Sequence, residues 1–245
     1  MERKHLLERM KTLKLWGMYQ SFQGDLYQSE TDRYTPDELL DMLLESEWDD
    51  RQARKIHRLI TSAKFRYMAS VEELIYDEQR ELDKNQMMRF AECEYITKRQ
   101  NILITGSTGV GKSYLACALG HQACLKGHRV SFFNLAKLLA RLKMMKADGS
   151  YLKEISRLER QDLLILDDYG LQPIDNQSQL IFLEIIEDRY DRKATILTSQ
   201  LPVSSWYEVI DEKTIADAIL DRLVHGSYRV NIKGESMRKT KKRAN

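Results

Sequence analysis

Residues 101–114 read NILITGSTGVGKSY, a short apolar run that breaks at Gly106 and resumes on Gly111-Lys112-Ser113. The spacing is GxxxxGK[ST], and each position has a physical purpose. Glycines let successive backbone N–H groups turn inward around a phosphate chain, the lysine brings a point charge to the terminal phosphates, and the serine hydroxyl can ligate Mg²⁺. A helix beginning at Lys112 aims its positive end at the same anion. Gly106, Ser107, Thr108, Gly109, Val110, Gly111, Lys112, Ser113 and Tyr114 are therefore the candidate phosphate-binding set.

Working outward, the chain alternates apolar strands with helices. Strands are expected at 101–105, 129–133 (RVSFF), 162–167 (DLLILD), 194–199 (ATILTS) and near 227–232. Helices are expected at 112–126, 135–146, 150–160, 177–191 and near 213–224, with a helical lead-in over 78–98. Apolar strands separated by helices make a parallel sheet covered on both faces, an α/β architecture of three layers. Residues 1–66 read differently, as an all-helical docking module. Leu6, Leu7, Met10, Leu13 and Leu15 are spaced as helix turns broken near Gly17 and Gly24. Thr35-Pro36-Asp37-Glu38 is a helix start, followed by the apolar Leu39, Leu40, Leu43, Leu44 and Trp48. Arg51, Arg54, Lys55 and Arg58 share a helix face, either solvated or a phosphate- or partner-binding stripe. The domains expected are 1–66, helical, and 67–245, nucleotide-binding, with a basic tail at 238–245.

The strand at 162–167 ends in Asp167-Asp168, two carboxylates at the strand end where a phosphate site lies in such sheets. Asp167 suits water-mediated Mg²⁺ binding, and Asp168 suits orienting or deprotonating an attacking water. Thr198-Ser199-Gln200 ends the next strand, with Ser199 the polar candidate for fixing that water. Arg222, in the helix before the last strand, and Arg238, just after that strand, are cations of the kind that stabilise transition-state charge, in an oligomer from a neighbouring copy.

Bulk properties set limits. The chain has 245 residues, 31% charged, with a net charge of only +2, so any nucleic-acid surface must be local. No apolar run approaches the roughly 18 residues needed to span a bilayer, and the first residues lack the apolar core of a secretory signal. Cys93, Cys117 and Cys124 lack CxxC spacing, which favours reduced thiols and a cytoplasmic location. Cys117, His121 and Cys124 share a helix face, and packing against the sheet explains them better than a metal.

NILITGSTGVGKSYLACAL, DLLILDDYG, ATILTSQLPVSSWYEVI, TIADAILDRLVHGSYRVNIKGESMRK and LKLWGMYQSF together resemble the IstB-like family, ATP-binding helpers of bacterial insertion sequences related to DnaC and DnaA within the AAA+ class. The resemblance implies a P-loop AAA+ three-layer fold with a five-stranded parallel sheet, preceded by a small helical domain; little or no lid is expected, a departure from the usual AAA+ pattern, because few residues follow Arg238. It implies an ATPase with ATP and Mg²⁺ as cofactors, bound by Lys112 and Ser113, with Asp167 and Asp168 as the acidic strand motif and residues 198–200 as the first sensor. Arg222 matches a trans-acting arginine finger and Arg238 a second sensor. The implied partners are duplex DNA, a cognate transposase whose target DNA the chain helps to capture, and further copies of itself in a ring or helical oligomer, with no membrane. The alternative is a DnaC-like replicative helicase loader. A small-molecule kinase fits less well, because the paired-Asp strand and late Arg222 motif belong to another machine. In relatives of the initiator type an extra helical element faces DNA, and here residues 135–157 carry Lys137, Arg141, Lys143 and Lys146 as DNA-binding candidates, with Leu135, Leu138, Leu139 and Leu142 on the buried side.

Overall fold

The computed structural model describes residues 3–24, 34–76 and 78–237. The chain divides into two compact units, Met1–Arg58 and Leu59–Asn245.

In the first unit, α1 (Arg3–Thr12) and α2 (Trp16–Gly24) are separated where Lys14 takes a left-handed φ of 59°. Gly17 does not break a helix, as its identity suggested. It lies buried inside α2, where a Cβ would collide with the Ser46 carbonyl oxygen. The close approach lets the Gly17 and Met18 amides donate to Glu47 Oε2 at 2.9 and 3.3 Å. Burial alone would raise the Glu47 carboxyl, but Arg51 and these amides outweigh it and hold it below the usual range. Helix α3 (Pro36–Ala63) starts with a reciprocal capping box: the Glu38 amide donates to Thr35 Oγ1 at 3.3 Å and the Thr35 amide donates to Glu38 Oε2 at 2.7 Å. The basic face is partly an ion-pair ladder, Arg51 with Glu47 at 2.7 Å and Arg54 with Asp50 at 2.6 Å. Leu40, Leu44 and Trp48, spaced at i, i+4 and i+8, stay exposed.

The second unit is built on five parallel strands: β1 (Ile102–Gly106), β2 (Val130–Asn134), β3 (Leu163–Tyr169), β4 (Ala194–Ser199) and β5 (Tyr228–Ile232). Their order is β2-β3-β4-β1-β5. Strand β4 thus lies between the phosphate-loop strand β1 and the acidic strand β3. Strand alternation divides the core into two layers. Ile102, Ile104, Ile165 and Ile196 meet α6 (Lys112–Leu125), while Leu103, Leu164, Leu166 and Leu197 meet α7 (Leu135–Asp148), α9 (Asn176–Arg189) and α10 (Lys213–Val224). Each such side chain contributes about 1.5–3 kcal/mol on burial. Helix α8 (Tyr151–Glu159) covers the α7 side. Leu59, Ile60, Ala63 and Phe65, at and after the end of α3, pack into the first layer.

The helical lead-in expected over 78–98 consists of a 3₁₀ turn (Glu78–Arg80), α4 (Lys84–Ala91) and α5 (Glu94–Thr97). Asp83 caps α4 by accepting from the Asn85 amide, and Cys93, at φ 61°, ends that helical run. Cys117 and Cys124 are buried on α6, with their thiols pushed up by desolvation, to about 11 and about 12. Among the described residues there is no cluster of three His, Cys, Asp or Glu side chains fit for a metal, and no helix long and apolar enough to cross a membrane. Arg238 and the basic tail lie outside the described residues.

Candidate nucleotide site

At the C-terminal end of β1 the chain folds around empty backbone rather than side chain. Gly106, Gly109 and Gly111 take φ of 147°, 87° and 99°. At Gly106 a Cβ would strike the Ile232 carbonyl oxygen on β5, and at Gly109 it would strike the Ser236 side chain, so glycine is required for close approach as well as for dihedral freedom. The Met237 amide donates to the Gly109 carbonyl at 3.0 Å, tying the segment after β5 to the loop. Lys112 is buried, and its Nζ donates to the Gly106 and Ser107 carbonyls at 2.8 and 2.9 Å. The ammonium thus spans the concave side of the loop, where a phosphate chain would lie. Tyr114 turns away: its hydroxyl donates to Glu73 at 2.7 Å, which pushes the phenol up to about 12.

The acidic strand carries a bulge. Leu166 pairs with Leu197 and Tyr169 with Ser199, so Asp167 and Asp168 together oppose Thr198 alone. Asp168 absorbs the extra residue with a left-handed φ of 66°. This brings two adjacent carboxylates toward one site, which regular alternation would forbid. The Ser113 hydroxyl donates to Asp167 Oδ1 at 2.7 Å and the Thr198 hydroxyl donates to the same oxygen at 2.6 Å. The Asp168 amide donates to Thr198 Oγ1 at 3.1 Å, and Asn134 Nδ2 donates to Asp168 Oδ2 at 3.1 Å. Arg66 Nη1 lies 3.5 Å from Asp167 Oδ2 and 3.7 Å from Asp168 Oδ2. Burial and the neighbouring Asp167 raise the Asp168 carboxyl, against Arg66 and the Asn134 amide. A cavity of about 390 Å³ opens beside Asp168, between α7 and the segment containing Pro173 and Ile174.

The bulge corrects one expectation. Ser199 is fully buried, donates its hydroxyl to the Tyr169 carbonyl at 2.9 Å and accepts from the Leu201 amide at 3.0 Å, so it holds the strand end together. Thr198 takes the place beside the carboxylates. Gln200 faces the loop, its Oε1 accepting from the Thr108 hydroxyl at 2.6 Å. Asn134, Arg66 and Arg80, whose Nη2 donates to the Val110 carbonyl at 2.6 Å, complete the surroundings without belonging to any motif. The only available hint was position: Asn134 closes β2 and caps α7.

Arg222 is at the other end of the strands. Its carbonyl accepts from Asn101, the residue before β1, and its guanidinium donates to Glu187 at 2.9 Å and to the Ala218 carbonyl at 2.8 Å. It does not reach the phosphate loop of its own chain.

The basic side of α7 is also less free than its spacing suggested. Arg141 pairs with the nearly buried Glu154 at 3.0 Å, Lys143 pairs with Asp175 at 2.9 Å, and Lys146 sits over the Tyr151 ring at 4.7 Å. Lys137 is exposed.

The donor set fits a small hard cation, since Ser113 and Asp167 present oxygens 2.7 Å apart beside the phosphate cradle. Comparison with known proteins agrees with the architecture. The profile of the family described as IstB-like ATP binding protein matches residues 8–245. A protein of Sinorhizobium fredii described as an insertion sequence ATP-binding protein is 42% identical over 237 residues, covering 97% of each chain. The ATP-binding protein of insertion sequence IS21 from Pseudomonas aeruginosa is 34% identical over 206 residues, covering 84% of this chain and 78% of that one. The AAA+ fold is shared with the crystal structure of the DnaC helicase loader (TM-score 0.58, 21% identity, 70% of this chain and 100% of that one). It is shared equally with the replication initiator DnaA bound to AMPPCP and single-stranded DNA (TM-score 0.58, 20% identity, 74% of this chain and 56% of that one).

Proposed function

The chain belongs to the IstB-like ATP-binding protein family, and on that premise we propose that it is an ATPase whose copies assemble on duplex DNA and help a cognate transposase capture its target. The observation that carries this reading is the separation of parts. The phosphate cradle and both carboxylates stand at one end of the sheet, while Arg222 stands at the other. A triphosphate bound by one copy then meets the Arg222 of the next, so binding and assembly become one event.

In this reading the amides of residues 106–113 hold the phosphates and Lys112 moves from the loop carbonyls onto them. Ser113 and Asp167 are the residues that would hold Mg²⁺, which would supply charge neutralisation along the triphosphate when bound. Asp168 accepts the proton of the water that attacks the terminal phosphorus, and ADP departs with the bridging oxygen. Thr198 keeps Asp167 in register with Asp168. Thr198→Val is therefore expected to lower ATP turnover about tenfold with little loss of nucleotide affinity. Ser199→Ala should instead cost about 1–2 kcal/mol in thermal unfolding and leave turnover within twofold. Malachite-green phosphate release and calorimetry on both variants check this, and equal losses of turnover would reject the assignment.

For DNA, Lys137 is an exposed cation of α7, with Arg141 beside it at i+4. Because Arg141 is engaged with Glu154, the informative pair of changes is Lys137→Glu with Arg141→Gln, which avoids setting a carboxylate against a nearly buried one. The double variant is expected to weaken duplex binding at least tenfold and flatten its salt dependence, with nucleotide affinity unchanged. Fluorescence anisotropy of a labelled duplex across a salt series measures it. Unaltered affinity and slope would remove α7 from the DNA interface. The exposed Leu40, Leu44 and Trp48 stripe on α3 supports reading the N-terminal unit as the docking module.

A further inference from the structure

Arg66 lies outside every motif, yet its guanidinium faces both carboxylates of the acidic pair. Asp167 Oδ1 is already occupied by the Ser113 and Thr198 hydroxyls, so Arg66 meets the remaining oxygen, Oδ2, and with the same nitrogen approaches Asp168. The contacts, 3.5 and 3.7 Å, are longer than the roughly 2.7–2.9 Å of a tight charge-assisted bond. The side chain remains 45% exposed and rests over the Tyr67 ring at 5.4 Å. It is thus close enough to neutralise the pair electrostatically, and loose enough to leave it without breaking a bidentate bond.

We propose that Arg66 is the resident counter-cation of Asp167 and Asp168, a positioning residue that competes with Mg²⁺ for the pair and moves off it when metal and triphosphate arrive. The proposal rests on reading this as a Mg·ATP site. The physical basis is that two adjacent carboxylates, one of them buried, need a positive charge nearby whether or not metal is present. Arg66 supplies it from a half-exposed position, which keeps the pair intact between turnovers and makes the metal displace a bound charge. Giving up the attraction of a unit charge for two carboxylates about 4 Å away, even at water-like permittivity, weakens metal binding roughly tenfold or more.

The test titrates MgCl₂ into the full chain at fixed fluorescent mant-ATP and reads binding rather than turnover. Arg66→Ala is expected to reach half-saturation at about tenfold less Mg²⁺ than the unsubstituted chain. Arg66→Lys should stay within about twofold of it, because the charge is kept. Arg66→Gln retains the stem over Tyr67 and should behave as Arg66→Ala, which guards against a variant that merely folds poorly. A Mg²⁺ requirement that is unchanged or increased in both uncharged variants overturns the proposal while leaving the ATP site standing. An unsubstituted chain whose mant-ATP binding ignores Mg²⁺ removes the metal from the site and overturns the proposal, whereas one that binds no mant-ATP at any Mg²⁺ level overturns the ATP-site reading.

Discussion

Lys112→Ala is expected to cost the chain roughly 10²–10⁴ in ATP affinity and to bring turnover to background. The side chain is buried, spans the loop from inside and is already within 2.9 Å of two loop carbonyls, so it is positioned before the ligand comes. Each charge-assisted bond it would make to a phosphate oxygen is worth about 1.5–3 kcal/mol, and two of them account for the expected range. Alanine also leaves the Gly106 and Ser107 carbonyls without that donor, a smaller loss that calorimetric unfolding separates from the binding defect. Equilibrium binding of mant-ATP measures the first effect. An affinity within tenfold of the unsubstituted chain would mean that the loop does not hold the triphosphate.

Asp168→Asn is expected to lower turnover by about 10²–10³ while leaving ATP binding and assembly in place. A positioned general base contributes about 10²–10⁴, and the amide keeps the size of the carboxyl while removing its proton affinity. The backbone favours this substitution as a clean test. Asp168 sits at φ 66°, and asparagine is among the few residues that tolerate the left-handed region. The amide oxygen can still accept the Asn134 bond, so the bulge that sets Asp167 beside Thr198 should survive. Phosphate release measures turnover, and near-normal release would move the base to another residue.

The pattern that was legible and the pattern that was not divide along physical lines. Strands β1, β3 and β4 are apolar runs that need cover on both faces, and they were readable as a parallel sheet because few other arrangements bury them. Ser113 and Asp167 were linked by motif spacing alone, and they lie 2.7 Å apart. The sequence points to Ser199 rather than Thr198 because a bulge inserts one residue into β3, and strand composition does not announce a bulge. The α7 cations looked like a free stripe because periodicity shows which residues share a face and says nothing of Glu154, Asp175 and Tyr151 brought alongside by folding. Arg66 reaches the site through tertiary placement with no local pattern to mark it, and Asn134 has only its position at the end of β2 and the start of α7. Gly17 reads as a breaker because glycine's flexibility is visible in a sequence and the close approach of another helix backbone is not.

The most direct test of nucleotide-coupled assembly is electron microscopy of the Asp168→Asn chain on duplex DNA, with Mg·ATP in one sample and Mg·ADP in the other. Ordered multimers on the duplex with ATP, and dispersed or absent protein with ADP, are the expected result. Equal decoration of the duplex in both samples, or bare duplex in both, would contradict the account.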